Sequence, residues 1–238
     1  MRRISLLSGL IFLCAGGVAQ ANAALDEQLC KAAAKGPASA IADLIEKGAM
    51  KDAICEEWEA TPLQNAVQND NLATMAALVA AGANVNAWSG GSDRYTALYY
   101  ARSPEAMQFL IAYHANVTIA SPKDKSTPLL WVSLGAAMAD TDEDGDSSAK
   151  LAQMLIDAGA DVNAAGDDGI GPLAMGISAH SKSFAQLLVD HGANVNARNE
   201  FGVSVLNTVL ATEKTAKPEE QAELAAIEAL LRAHGAVL

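Results

Sequence analysis

Two short stretches of this chain decide its fold: TPLQNAV at 61–67 and GANVNA at 82–87. Thr61 is a natural helix N-cap, and Pro62 stands in the first helical turn, where its missing N–H costs nothing. The segment MAALVAAG at 75–82 has apolar residues at helical spacing and ends in a glycine that suits a left-handed C-cap. The asparagines that follow favour a tight turn. These signals predict a helix, a turn, a second helix and a hairpin.

Both stretches recur along the chain. Variants of the first stand at 96–98, 127–129, 171–173 and 204–206, and variants of the second at 114–119, 159–164 and 192–197. The distance from Thr61 to Gly82 equals that from Gly171 to Gly192, namely 21 residues. The repeating unit is about 33 residues long. Because one such unit cannot bury its apolar face alone, the units must stack on one another.

This pattern resembles the ankyrin repeat, whose signature begins T-P-L-H-x-A-A and ends in G-A-D-V-N. The resemblance covers residues 25–238 and implies an all-α ankyrin-repeat solenoid of about six helix–turn–helix units with short β-hairpin connections. The third unit is clipped at Ser103-Pro104, and the fourth and sixth carry insertions that we place between their two helices. The predicted units are 25–54, 55–87, 88–119, 120–164, 165–197 and 198–238.

The N-terminus has the pattern of a signal peptide. MRR is a positively charged start, ISLLSGLIFLCAGGV is too short to span a bilayer comfortably, and AQANA offers small residues for cleavage. We predict that residues 1–23 are removed and that 24–238 form an ankyrin domain in the periplasm, with secretion as the alternative. A lipid anchor on Cys14 is disfavoured because Phe12 and Leu13 precede it. No membrane insertion is expected after cleavage.

The composition argues against several classes of function. The chain has 16 basic and 28 acidic residues and a net charge of −12, which disfavours nucleic acid and anionic membranes as partners. It has no G-x-S-x-G, no CxxC pair and no phosphate loop, and no two of its four histidines have i,i+4 metal spacing. We therefore predict no enzymatic activity, no cofactor and no metal.

The resemblance also implies a disulfide. Two cysteines, Cys30 and Cys55, remain after signal cleavage, an even number in an oxidising compartment. Cys30 takes the histidine position of the T-P-L-H motif, which in ankyrin stacks looks toward the hairpin that leads into the next repeat, and Cys55 lies in that hairpin. We predict a bond between them, with two buried thiols as the alternative.

The insertion in the fourth unit contains DTDEDGD at 140–146, which begins like a calcium-binding loop. Asp140, Asp142, Asp144 and Gly145 match that pattern, but Leu151 stands where the bidentate glutamate belongs. We favour a solvated acidic loop whose Asp146 and Ser147 cap the next helix. Weak calcium binding by Asp140, Asp142, Asp144 and Asp146 is the alternative.

A protein-binding face is the remaining candidate site. In ankyrin stacks the hairpins and first helices line a concave face, and the position after the T-P-L-H histidine points into it. This position holds Tyr100, Trp131 and Met175 in the middle units, and the hairpins add Trp58, Trp88, Tyr95 and Phe201. Such side chains form interaction hot spots, although some could fold back on neighbouring hairpins. Acidic residues in the same hairpins favour a partner with a basic patch: Glu56, Glu57, Glu59, Asp167 and Asp168.

The sequence therefore predicts a monomeric, non-catalytic protein-binding module. Exported ankyrin proteins of this kind are similar to two groups: companions of periplasmic enzymes such as oxidative-defence catalases, and immunity proteins that neutralise delivered toxins. We favour the first role, keep the second as the alternative, and keep a calcium-responsive scaffold as a third.

Overall fold

The computed structural model describes residues 8–57, 59–137 and 142–238. Two compact units divide the chain, and we describe each by itself: the first runs to Gly91 and the second from Ser92 to Leu238. The first unit holds helices α1 (Ser8–Lys35), α2 (Ser39–Glu46), α3 (Pro62–Gln68) and α4 (Leu72–Ala80). The second holds a short 3-10 helix (Ala97–Tyr100), α5 (Pro104–Ala112), α6 (Pro128–Ala137), α7 (Asp142–Asp157), α8 (Pro172–Ser178), α9 (Lys182–Asp190), α10 (Val205–Glu213) and α11 (Pro218–Ala233).

The helices begin where the sequence motifs place their caps. At α3, the Thr61 hydroxyl accepts from the amide of Gln64, and the Gln64 side chain accepts from the amide of Thr61 at 2.8 Å. This capping box satisfies two backbone donors that a helix start leaves free. At the end of α4, Gly82 has φ +83°, the left-handed conformation that its sequence position predicted.

Stacking of successive helix pairs builds the core. In the first unit α1 packs on α2 and α3, and α3 packs on α4. In the second unit the first helices form one row, α6 on α8 on α10, and the second helices form another, α5 on α7 on α9 on α11. The rows meet at fully buried side chains such as Leu155, Ile177 and Phe184. The predicted all-α ankyrin-repeat architecture is confirmed.

The hairpins between pairs contain little β-structure. Among the described residues, two isolated antiparallel bridges, Cys55 with Ala60 and Arg198 with Ser204, stand in place of regular strands. The hairpins are instead linked by single backbone hydrogen bonds. For example, the amide of Asp167 donates to the carbonyl of Asp124 at 2.8 Å.

Three details differ from the sequence prediction. In the third repeat, residues 88–119, only a 3-10 helix fits between Thr96 and Ser103, because α5 already begins at Pro104. In the fourth and sixth repeats most of the inserted residues are helical. Their second helices, α7 and α11, have 16 residues each, whereas α4, α5 and α9 have nine each. The predicted cap at Asp146 and Ser147 was wrong, since α7 already begins at Asp142.

Helix α1 includes the predicted cleavage point after Ala23. Among the α1 side chains whose burial is described, the buried ones are Leu29, Cys30, Ala33 and Ala34, and all four follow that point. None of the helices in the described part of the chain is both long and apolar enough to cross a membrane.

Candidate functional site

The fourth position of the T-P-L-H motif joins a first helix to the hairpin after it. In the first repeat this residue is Cys30, whose Sγ lies 2.04 Å from that of Cys55, with the Cα atoms 5.7 Å apart. In the second repeat it is Gln64, whose Nε2 donates to the carbonyl of Ala87 at 3.0 Å. The structure thus brings together the two cysteines that the sequence pairs.

In the third repeat this position is Tyr99, and it anchors an aromatic cluster. The Tyr99 hydroxyl donates to the carbonyl of Ser126 at 2.7 Å and lies 2.8 Å from the carbonyl of Ile119. Burial raises the pKa of Tyr99, so this hydroxyl stays protonated as a donor.

Tyr95 packs between Tyr99 and Trp131. The Tyr95 ring centroid is 4.9 Å from that of Tyr99 and 4.8 Å from that of Trp131. Only 8% of Tyr95 is exposed, and burial together with the charge of Asp124 raises its pKa to about 12. Tyr95 is therefore a support beneath the surface and not a partner-contacting residue, which corrects its assignment from sequence. Trp131, at the edge of the cluster, remains half-buried.

Asp124 lies at the rim of this cluster. Its Oδ1 accepts from the amide of Ser126 at 3.0 Å and from the Ser126 hydroxyl at 2.6 Å, while its Oδ2 lies 3.5 Å from the Tyr95 hydroxyl. Burial raises the pKa of Asp124, but hydrogen bonds from Ser126 and Ser121 outweigh that effect and bring the pKa below its usual value. Asp124 is therefore an anion at neutral pH.

A groove of about 250 Å³ opens next to Trp131 in the second unit. Its apolar walls come from α6 and α8, and its rim comes from two successive hairpins. The lining residues are Asp124, Ser126, Leu130, Trp131, Leu134, Gly166, Asp167, Asp168 and Met175. Three carboxylates thus line a groove with an aromatic and thioether surface: Asp167 and Asp168, which the sequence placed at this rim, and Asp124, which it did not.

The other predicted contact residues are distributed differently. Tyr100 is half-buried and lies close enough to Tyr95 to raise the pKa of that residue. Phe201 is 80% exposed on the hairpin before α10 and does not line the groove. Trp88 is half-buried in the first unit. Trp58 lies outside the described residues.

Calcium binding by the acidic segment at 140–146 stays a prediction. Asp140 and the side chains of Asp142, Asp144 and Asp146 lie outside the described part of the structure. Among the residues that are described, no three histidine, cysteine, aspartate or glutamate side chains form a metal-binding group.

Sequence reasoning missed Tyr99 and Asp124. Tyr99 could have been found by the logic that paired Cys30 with Cys55, because both Cys30 and Tyr99 take the fourth T-P-L-H position. Asp124 carries no comparable signal, since its partners Ser126 and Tyr95 meet it only through the turn geometry of the hairpin.

Helix pairs stacked in two rows, with a hairpin between successive pairs, define an α-helical repeat protein. The helix pairs have the ankyrin-repeat fold, and residues 29–133 match the family model for ankyrin repeats, in three copies. A search of curated protein sequences found no significant match.

Solved structures extend the likeness over most of the chain. An ankyrin repeat domain from Acinetobacter baumannii AYE has a TM-score of 0.68 and 22% identity, covering 88% of this chain and 98% of that chain. The ankyrin repeat domain of Bcl-3, a member of the IκB family, has a TM-score of 0.69 and 26% identity, covering 88% and 86%. A chain in the complex of a predatory endopeptidase from Bdellovibrio bacteriovorus with an immunity protein has a TM-score of 0.59 and 21% identity, covering 83% and 96%.

Proposed function

We propose that this protein is a non-catalytic, periplasmic binding module that holds a protein partner on the groove beside Trp131. The observation that carries the proposal is the half-buried indole, which is supported by Tyr95 and surrounded by three carboxylates. Ankyrin repeats are protein-interaction modules, and two of the similar structures are a domain of an IκB-family member and a chain in the complex of an endopeptidase with an immunity protein. The favoured role is to support or regulate a periplasmic enzyme, such as an enzyme of oxidative defence.

The groove has the composition of an interface hot spot. Trp131 can bury a large area at small cost in side-chain entropy, because its ring is already held by Tyr95. Met175 adds a thioether that adapts to the shape of a partner. The acidic rim favours a basic patch on that partner and increases the rate of encounter with it.

Capture of partners from periplasmic extract tests this proposal. Immobilised wild-type protein is compared with a double variant, Trp131→Ala with Tyr100→Ala. We expect the double variant to lose at least 90% of a captured protein, roughly a tenfold fall in affinity for about 1.4 kcal/mol. Retention of the partner by the double variant would show that the groove is not the binding surface.

Two further variants separate loss of contact from loss of fold. Met175→Lys places a positive charge in the groove without removing any ring of the aromatic cluster, and it should also abolish capture of a basic partner. Tyr113→Ala removes an aromatic ring that is 48% exposed at the end of α5, away from the groove lining, and should leave capture unchanged.

The alternative role is neutralisation of a delivered toxin, with the acidic groove covering a basic surface of that toxin. The two roles differ in their effect on the captured partner. An immunity protein inhibits its partner and protects cells that express it, whereas an enzyme companion maintains or raises the partner's activity. A catalase gene beside this one would favour the first role, and a secreted effector gene the second.

A calcium-responsive scaffold is the third possibility, and it depends on the acidic segment at 140–146. Isothermal titration calorimetry with millimolar calcium decides it. Heat that disappears in an Asp142→Asn, Asp144→Asn variant would establish a site, and its absence from the wild-type protein would remove this possibility.

A further inference from the structure

We propose that the groove beside Trp131 is an arginine subsite: it accepts one arginine side chain that protrudes from the partner protein. This inference rests on the proposed function and specifies the group that the partner inserts. It is argued from the groove's size, charge and aromatic wall.

The size of the groove fits one side chain. At about 250 Å³ it lies below the range of roughly 300–1,000 Å³ that is usual for small-molecule sites. The apolar lining consists of Leu130 and Leu134 along α6 and Met175 from α8. A long aliphatic stem can lie against these three residues while its charged end reaches the rim.

The rim of the groove is acidic. Asp124, Asp167 and Asp168 line the groove, and none of them takes part in the ion pairs that the described residues form. Lys123, the basic residue that precedes Asp124, forms its ion pair with Asp93, and its charge also contributes to the lowered pKa of Asp124.

The carboxylates are held in place while keeping capacity to accept further hydrogen bonds. Oδ1 of Asp124 is bound by Ser126, and Oδ1 of Asp168 accepts from the amide of Ile170 at 2.9 Å. Each carboxylate has about four lone-pair sites, so both can still accept from a ligand. The amide of Asp167 is bonded to the carbonyl of Asp124, which fixes one hairpin against the next.

The aromatic wall selects arginine over lysine. A guanidinium is planar, stacks on an indole face and presents paired donors to carboxylates, whereas an ammonium is a compact, strongly hydrated charge. Trp131 supplies the aromatic wall, and Tyr95 packs 4.8 Å from its centroid and restricts its rotation. A preorganised ring of this kind reduces the entropy lost on binding.

Titration with short peptides tests the subsite on the full mature protein. The probes are acetyl-Gly-Arg-Gly-amide, its lysine counterpart and its uncharged citrulline counterpart. The indole N–H signal of Trp131 is followed by NMR and is assigned by its disappearance in Trp131→Phe. We expect saturable binding of the arginine peptide at roughly millimolar concentration. Binding of the lysine peptide should be weaker, and the citrulline peptide should produce no saturable shift.

Charge variants locate the interaction. Asp167→Asn with Asp168→Asn should raise the dissociation constant for the arginine peptide at least fivefold. Asp190→Asn with Glu223→Gln removes the same charge from residues outside the groove lining and should change the constant less than twofold. Equal shifts with the citrulline peptide, equal effects of the two double variants, or tighter binding of lysine than of arginine would each overturn the assignment.

These outcomes are distinguishable from failure of the proposed function. If the Trp131-dependent capture of a partner succeeds but the arginine peptide does not bind, the groove is a protein-binding surface without an arginine subsite. If the peptide binds but no partner is captured through Trp131, the subsite exists and the proposed function is wrong.

Discussion

The residue at the fourth position of the T-P-L-H motif bonds to a hairpin in each of three repeats, and the type of bond differs from one repeat to the next. Gln64 and Tyr99 follow their N-caps, Thr61 and Thr96, by three residues, and Cys30 takes the equivalent motif position within the longer helix α1. Cys30 reaches Cys55, Gln64 reaches the carbonyl of Ala87, and Tyr99 reaches the carbonyl of Ser126. Each bond therefore ties the first helix of a repeat to the hairpin that follows the second helix, whatever the chemistry of the side chain.

Removal of the disulfide should be costly. In a Cys30→Ala, Cys55→Ala variant we expect the free energy of unfolding to fall by about 3 kcal/mol, because the bond closes a loop with a sequence separation of 25. Urea unfolding of the exported protein measures the change. Reductant should destabilise the wild-type protein by a similar amount and leave the variant unaffected. Alkylation of both thiols in unfolded, unreduced protein would disprove the bond.

Asp124 should make stability depend on pH. The pKa of its carboxyl is lowered in the folded protein, so its contribution is complete above the unfolded value near 3.9 and is lost as pH falls through the folded value. At pH 7 we expect Asp124→Asn to cost about 1 kcal/mol, and this difference should diminish as pH falls through the lowered pKa of the folded protein. Thermal melts across pH measure it. Glu223→Gln, which removes an exposed carboxylate of α11, is the control and should show no comparable change.

At the scale of elements, the residues inserted in the fourth and sixth repeats lengthen the second helices of those repeats. The first helices α3, α6 and α8 each begin with a proline and have seven, ten and seven residues. The second helix α4 of the second repeat has nine residues, whereas α7 of the fourth repeat and α11 of the sixth have 16 each. Adding turns to the start of a helix preserves its packing farther along, since the apolar stripe continues with the same period. An insertion there leaves the stacked core intact.

Two helical glycines should respond in opposite directions to the same change. A Cβ at Gly176 in α8 would lie 2.6 Å from Cδ1 of Phe184, whose ring is fully buried, whereas a Cβ at Gly135 in α6 would meet nothing within 4 Å. We expect Gly176→Ala to lower the free energy of unfolding by about 1–2 kcal/mol through overpacking of α8 on α9.

Gly135→Ala should instead raise the free energy of unfolding by about 0.5–1 kcal/mol, because alanine is the better helix former. Urea titration monitored by circular dichroism compares the two variants under the same conditions. Equal effects of the two substitutions would show that helix propensity alone, and not the contact with Phe184, determines the outcome.

At the scale of the whole molecule, the chain is acidic and begins with the pattern of a signal peptide. The net charge of −12 would become −14 if Arg2 and Arg3 were removed by the predicted cleavage. Among the described side chains of α1, those at 22–24 are exposed and the buried ones are Leu29, Cys30, Ala33 and Ala34. Cleavage after Ala23 would leave these four buried side chains in the mature chain.

Export should yield a mature chain that begins at Ala24. Mass spectrometry of protein from the periplasmic fraction measures the cut. Ala21→Arg with Ala23→Arg places large charged residues where the cleavage enzyme needs small ones, so we expect the full-length precursor to accumulate. An unprocessed wild-type chain in the cytoplasm would contradict both the cleavage and the predicted location.

The fold followed from local signals in the sequence. The recurrence of TPL and GANVNA-like segments sets where helices start and end, and capping and turn chemistry act over only a few residues. The resemblance to the ankyrin repeat then implied the bond between Cys30 and Cys55 and assigned Trp131 and Met175 to one face. These relations depend on the register of each residue within its repeat, and the recurring motifs give that register.

The tertiary structure decided how individual repeats differ from the average repeat. It buried Tyr95 beneath Trp131, reduced the first helix of the third unit to a single 3-10 turn, and carried the insertions as helix. It also brought Asp124 from one hairpin beside Asp167 from the next. The physical reason is that the burial and the direction of a side chain depend on how one repeat packs on the next. Neighbouring residues along the chain do not determine that packing.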